Sequence, residues 1–222
     1  MIETTRSGEV FVLRMVAEEN RFNPTMLGAF KSALDEVEAS EGAAAVVITG
    51  GGKYFSNGLD LDWMAAAPEG GPSEVVNGLQ ELYARLVGFP TAVIAAVNGH
   101  AFAGGAMLAL ACDARVMRDD RGYFCLPEVD INIPFTLGMA KLVQAKLVPA
   151  DAHEAMLTGR RYDAAEALAA GIADQTAPED QVLPLAIERA QALTGKTRSV
   201  VAEIKRVMYR EVLDGLAETV SF

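Results

Sequence analysis

Two glycine-containing loops carry the residue types and spacing most able to do chemistry. The first is Gly52-Lys53-Tyr54-Phe55-Ser56-Asn57-Gly58-Leu59-Asp60-Leu61, and the second is Asn98-Gly99-His100-Ala101-Phe102-Ala103-Gly104-Gly105-Ala106-Met107. Each follows an apolar run, and each leads into a helical pattern. Glycine lets a backbone approach a ligand closely, and the first turn of a helix leaves N–H groups without intrahelical acceptors. Two such N–H groups converging on one point would stabilise a developing oxyanion. The same spacing also suits plain tight turns before helices. Gly50-Gly51-Gly52-Lys53 looks like the end of a phosphate-binding loop. However, Tyr54 stands where Ser or Thr is required, and the spacing before Lys53 fails. No Gly-x-Gly-x-x-Gly follows a strand, which argues against a Rossmann unit.

The candidate proton carriers are few. Glu128 follows a short extended piece, Tyr123–Leu126, and reads on its own either as a base or as a salt-bridged loop carboxylate. Asp130 competes with it nearby. Asp60 reads as a carboxylate that orients its own loop through backbone N–H groups. His100 sits in the second loop and His153 in a helical segment, and both read as structural. Cys112 and Cys125 have no His or Cys partners at ligand spacing, so no metal site is expected.

These residues must be positioned by a sizeable core. The chain has 222 residues, 51% of them hydrophobic and 22% charged, which suits one large α/β domain and excludes a disordered chain. Two cysteines exclude a disulfide framework and point to a reducing compartment. The net charge of −11 argues against a nucleic-acid surface. Mean hydropathy is +0.19, yet the longest apolar stretch, near Ala101–Ala111, is about half of a membrane span and no membrane partner is expected. Met1–Arg6 holds no apolar signal core, so a cytoplasmic location is expected.

Strands are predicted at Val10–Val16, Ala43–Thr49, Thr91–Val97 and Asp113–Met117, from β-branched and apolar runs. Helices are predicted at Leu27–Val37, Gly58–Ala67, Ala106–Cys112, Leu137–Leu147, Asp151–Thr158, Ala164–Ala170, Val182–Leu193 and Ser199–Leu213. Another, carrying Val76, Leu79, Leu82, Tyr83 and Leu86, is expected to be capped by Ser73. Pro68–Pro72 reads as a breaker and a mobile loop. A strand–loop–helix unit recurs near residues 46–66 and 93–112. A core over 1–178 and a helical C-terminal region over 179–222 are expected, the latter for oligomerisation.

Four strings together resemble the crotonase (enoyl-CoA hydratase/isomerase) superfamily. They are Val46–Gly50 through Phe55–Leu61; Ala96–Ala101 through Gly104-Gly105 with Cys112-Asp113; Leu126–Ile131; and Leu157–Arg160 with Ala164–Asp174. They run in family order over roughly residues 10–210. The resemblance implies a spiral of ββα units, a helical C-terminal region that builds a homotrimer or a dimer of trimers, and acyl-CoA thioester substrates. Coenzyme A then belongs to the substrate, and no separate cofactor is implied.

The same resemblance assigns roles. The backbone N–H groups of Leu59 and Gly104 would form the oxyanion hole, and Glu128 would be the base. Ser56, Asn57, Gly58, Asp60, Leu61, Lys53, Met107 and Phe135 would contact substrate, with Phe102 and Met64 as further lining. Lys53 is the first choice for the coenzyme A phosphates, with Arg21, Lys196 or Lys205 as weaker ones. Family hydratases carry a second glutamate where this chain has Met107. A single base suffices to move a double bond from C3 to C2, so the pattern resembles Δ3,Δ2-enoyl-CoA isomerases of fatty-acid β-oxidation. The alternatives are an enoyl-CoA hydratase or other lyase of this fold, and a non-catalytic acyl-CoA-binding protein.

Overall fold

A computed structural model describes residues 1–221. Strands β1 (Ile2–Ser7) and β2 (Val10–Met15) form an antiparallel hairpin that turns at Gly8, φ +60°. After α1 (Pro24–Ala39), a pattern appears three times: one strand for a large sheet, one for a small sheet, then helix. The first unit is β3 (Ala45–Gly50), β4 (Tyr54–Ser56), α2 (Leu61–Ala66) and α3 (Gly71–Val87). The second is β5 (Val93–Val97), β6 (His100–Phe102) and α4 (Gly104–Ala111). The third is β7 (Ala114–Arg118), β8 (Phe124–Cys125), a 3₁₀ turn at Pro127–Val129, α5 (Leu137–Lys146) and α6 (Pro149–Thr158). The chain finishes with β9 (Arg161–Tyr162), α7 (Ala164–Ala169), β10 (Gln175–Ala177), α8 (Glu179–Gln191), α9 (Arg198–Met208) and α10 (Arg210–Leu216). This is the expected ββα spiral. The recurring strand–loop–helix unit hides a second strand, β4 or β6, inside each loop.

The large sheet runs β1-β2-β3-β5-β7-β10 and is parallel from β2 onward; the small sheet runs β4-β6-β8-β9. Successive strand residues face opposite sides. Phe11, Leu13, Met15, Val46 and Ile48 therefore enter the main core, while Val10, Val12, Ala45 and Val47 enter a second layer under α8. Both faces are buried, so these strands read as unbroken apolar runs rather than as alternation. The second layer reaches across the expected boundary near 178. Val182, Ala186 and Ala190 on α8 pack against the large sheet, so this helix belongs to the core.

Three local expectations also change. Pro68–Pro72 is no open loop: Gly70, at φ +82°, turns the chain, and Gly71-Pro72 begin α3. Proline is tolerated there because the first-turn N–H groups have no intrahelical acceptor anyway. Ser73 consequently lies inside the helix rather than at its cap. The helix expected over Gly58–Ala67 starts only at Leu61, because the Asp60 carboxylate accepts from Trp63 N at 3.1 Å and caps it. The segment Ser199–Leu213 is two helices that meet at Tyr209. The break lets α10 bury Val212 and Leu216 in the main core, while Lys205 on α9 pairs with Asp113 at 2.6 Å.

Helix α4 is buried at every residue. Glycine at its start lets it press directly on the first loop: a Cβ on Gly105 would overlap the Ser56 carbonyl. Gly105→Ala is expected to lower stability by about 1–3 kcal/mol through overpacking, measured as a lower urea midpoint with an unchanged m-value.

Candidate active site

The two glycine loops meet backbone to backbone. At Gly58, φ is +81°, and a Cβ there would stand 2.9 Å from the Ala103 Cβ and 3.1 Å from Gly104 N. A Cβ on Gly99 would overlap the Lys53 carbonyl. The Asn98 side chain spans the loops, accepting from Gly50 N at 2.8 Å and donating to Gly52 O at 3.1 Å. The first loop is also laced to the segment before α1. Phe22 N donates to Gly58 O and Asp60 N donates to Phe22 O, at 2.8 and 2.9 Å. That bridge uses the groups flanking Leu59 and leaves the Leu59 N–H out of the ladder. Gly104 is the first residue of α4, so its N–H lacks an intrahelical acceptor.

Leu59, Gly104 and Glu128 all line one cavity of about 400 Å³. Its buried wall is apolar: Val76 and Leu79 from α3, Met107 from α4 and Met139 from α5. Phe102 and Phe135 continue it, and Leu61 and Ile131 stand exposed at its mouth. Thr136 caps α5 and donates to Gln80 Oε1 at 2.6 Å, which fastens two walls together.

Glu128 sits on the 3₁₀ turn at 5% exposure. Its Oε2 has no hydrogen-bond partner among the described residues. Burial pushes its carboxyl up from the ordinary 4.5 to about 7. The other lining carboxylate, Asp62, is exposed and paired with Arg21 at 2.8 Å. Asp130 packs against Gly159 and does not line the cavity.

The other sequence-predicted residues divide between lining and scaffolding. Asn57, Leu61, Met107, Phe102 and Phe135 line the cavity. Ser56, Gly58 and Asp60 shape the first loop instead. Ser56 Oγ donates to Asn20 O at 2.7 Å, and Asp60 accepts from Asn23 Nδ2 at 2.9 Å. Met64 packs against the main core away from the cavity. Lys53 lies outside the lining, with Nζ 5.1 Å from the Tyr54 ring centroid. Lys205 is buried in its pair with Asp113, which removes it from the candidate phosphate ligands. Arg21 does line the cavity. His100 stacks among Tyr54, Phe102 and Tyr123; burial, then Lys53, Arg121 and Arg161, hold its pKa down.

Sequence reasoning missed the wall from Val76 and Leu79, which read only as a core face. It also missed Arg161 at the cavity rim, 5.7 Å from the Phe102 ring. No local signal marks either.

A family model described as "Enoyl-CoA hydratase/isomerase" matches residues 6–222. The chain is 34% identical to enoyl-CoA delta isomerase 3 of Arabidopsis thaliana, over 96% of this chain and 93% of that protein. It is 40% identical to the carnitinyl-CoA dehydratase of Citrobacter koseri, over 72% and 61% of the two chains. The structure of human mitochondrial Δ3-Δ2-enoyl-CoA isomerase superposes with a TM-score of 0.89 at 26% identity, covering 96% of this chain and 84% of that one.

The raised Glu128 pKa has a consequence for stability. Between about 4.5 and about 7 the folded chain keeps a proton that an unfolded glutamate has lost. Stability therefore falls as pH rises through this window and levels off above it. Glu128→Gln is expected to be more stable than the parent by about 3 kcal/mol at about pH 9, and equal to it near pH 4.5. Urea denaturation at both pH values checks this; a pH-independent difference would contradict it.

Proposed function

The chain belongs to the enoyl-CoA hydratase/isomerase family, and from that premise we propose that it converts 3-enoyl-CoA to 2-enoyl-CoA with Glu128 as its single base. The observation that carries this reading is one buried carboxylate, with an unpartnered oxygen, facing an apolar cavity whose second acidic position is Met107. A thioether cannot transfer a proton. Hydration requires both a water activated at C3 and a proton delivered at C2. Moving the double bond requires one proton to leave C2 and return at C4, and one carboxylate can do both.

In the proposed cycle the thioester oxygen accepts from the Leu59 and Gly104 N–H groups. Glu128 takes the C2 proton, and the electron pair spreads over a dienolate held by those two donors. The protonated Glu128 then returns the proton to C4, which leaves the C2–C3 double bond conjugated with the thioester. Atoms and electrons balance without an oxidant, a metal or a water, so no cofactor beyond the substrate's own coenzyme A is needed. Each oxyanion donor is worth roughly 3–4 kcal/mol in comparable enzymes. The apolar wall supports the step by keeping the Glu128 proton affinity near neutrality. A buried, unpaired carboxylate is costly in a mere binding protein, which disfavours the non-catalytic alternative.

The reading extends to fatty-acid β-oxidation, a homotrimer or dimer of trimers, and a cytoplasmic location. No helix among the described residues is long and apolar enough to cross a membrane. The coenzyme A phosphates are assigned to the cations around His100, with Arg161 at the rim and Lys53 beyond it.

Glu128→Gln is expected to cut turnover of 3-enoyl-CoA by about 10²–10⁴-fold. The parent rate should rise with pH through about 7 as the carboxylate ionises. Absorbance of the conjugated product checks both. Bleaching of 2-enoyl-CoA without isomerisation would favour hydratase chemistry, the side on which the Citrobacter dehydratase stands. Arg161→Ala and Lys53→Ala should raise KM severalfold at low salt with kcat nearly unchanged; unchanged KM would place the phosphates elsewhere.

A further inference from the structure

Tyr83 is a fully buried polar side chain beside the cavity that the proposed cycle leaves unused. It lies on α3 at 0% exposure and packs beside Leu79, which lines the cavity. Its hydroxyl donates to the Gly104 carbonyl at 2.6 Å. A Cβ on Gly104 would stand 3.1 Å from that hydroxyl, 3.1 Å from Leu79 and 3.4 Å from Phe22. Gly104 is therefore seated in a pocket formed by these three side chains, with the phenol supplying its one polar wall.

The backbone just before Gly104 is strained. Ala103 holds φ +48° and ψ −121°, a region that an L-residue with a Cβ rarely visits. Such a conformation costs of the order of 1–3 kcal/mol and persists only where its surroundings over-determine it. On the upstream side, Ala103 N donates to Cys125 O at 3.0 Å. On the downstream side, the Tyr83 hydroxyl is the side-chain restraint. The Ala103–Gly104 peptide, whose N–H is the second proposed donor, lies between these two anchors.

We propose that Tyr83 is a positioning residue: its hydroxyl pins the first turn of α4 so that the strained Ala103–Gly104 peptide keeps its N–H directed into the cavity. Two further effects follow from the same bond. Donation to the Gly104 carbonyl polarises the Gly104–Gly105 peptide, next after the one that carries the proposed donor, and strengthens the positive end of the helix beside the cavity. The phenol also stays neutral, because burial, and after it the charge of Glu128, push its pKa up. It therefore remains a donor at every pH where Glu128 works, and does not compete with it for the substrate proton.

The inference rests on the reading of Gly104 N–H as a thioester donor, but not on which reaction follows. Tyr83→Phe keeps the ring and removes only the hydroxyl. With 3-enoyl-CoA, kcat is expected to fall about 10- to 100-fold, as for a slight misplacement of a catalytic group. KM should stay within about threefold, and the pH midpoint set by Glu128 should be kept. The distinguishing readout is the ultraviolet red shift of bound 2-enoyl-CoA, which reports the pull of N–H donors on the thioester oxygen and requires no turnover. That shift should shrink in Tyr83→Phe. A lowered melting temperature with the parent's kcat and red shift would overturn the proposal and leave Tyr83 a packing residue. Should the variant not fold, 3-fluorotyrosine at position 83, a stronger donor of nearly the same size, should enlarge the red shift, and an unchanged shift would overturn the proposal. If the parent binds 2-enoyl-CoA with a red shift yet does not isomerise 3-enoyl-CoA, the isomerase reading fails while the comparison at Tyr83 still decides this one.

Discussion

The close approach of two backbones, with no side chain between them, is the constraint on which the rest of the structure depends. Gly58, Gly99 and Gly105 each sit where a Cβ would press on the other loop or on the strand behind it. Removing the side chains lets the small sheet lie against the start of α4 and brings Leu59 and Gly104 to one cavity. The conformational entropy that glycine loses on folding is offset by what this approach makes possible. Asn98, Asn20 and the Asp60 cap then hold the loops through short bonds to backbone atoms. The Asn20 side chain alone donates to both Tyr54 O and Phe55 O.

Around that junction the packing serves two opposite needs. The cavity wall is apolar, and burial against it raises the proton affinity of Glu128. The cavity rim carries cations, although the chain as a whole is strongly acidic. Arg161 borders the cavity, and the field of Lys53, Arg121 and Arg161 is felt at His100. The net charge of −11 therefore says little about how this face meets a polyanion. Electrostatics at the site is decided by which few side chains the small sheet gathers, not by the total.

The donor positions at Leu59 and Gly104 and the role of Glu128 came only from the family resemblance, whereas the loops were legible because each has a local signature, glycine after an apolar run. Long strands and helices were legible for the same reason. The short strands β4 and β6 were not, because three residues inside a glycine loop give no periodicity to read. Pro68–Pro72 misled because a proline at a helix start and a proline in a loop look alike until the partner surface is known. The role of α8 was hidden in a similar way: its apolar stripe shows that it packs, not that it packs on the large sheet.

By itself the sequence determined the chemistry that is available. It supplied two backbone-donor loops, a candidate base at Glu128, a methionine in place of a second carboxylate, and the order of elements that repeats around them. The loops and the element order follow from residue type and near-neighbour spacing, which are local, whereas the roles of Glu128 and Met107 follow from the resemblance of these strings to one family. Only the tertiary structure decided which groups share a cavity. It set Asp130 against Gly159 and Glu128 into the apolar wall, although they are two residues apart. It moved Lys205 from a candidate ligand to a buried pair, and it brought Tyr83 and Arg161 to the site from α3 and β9. The reason is physical: proton affinity, strain and donor direction depend on what surrounds a group in three dimensions, and most of those neighbours are distant along the chain.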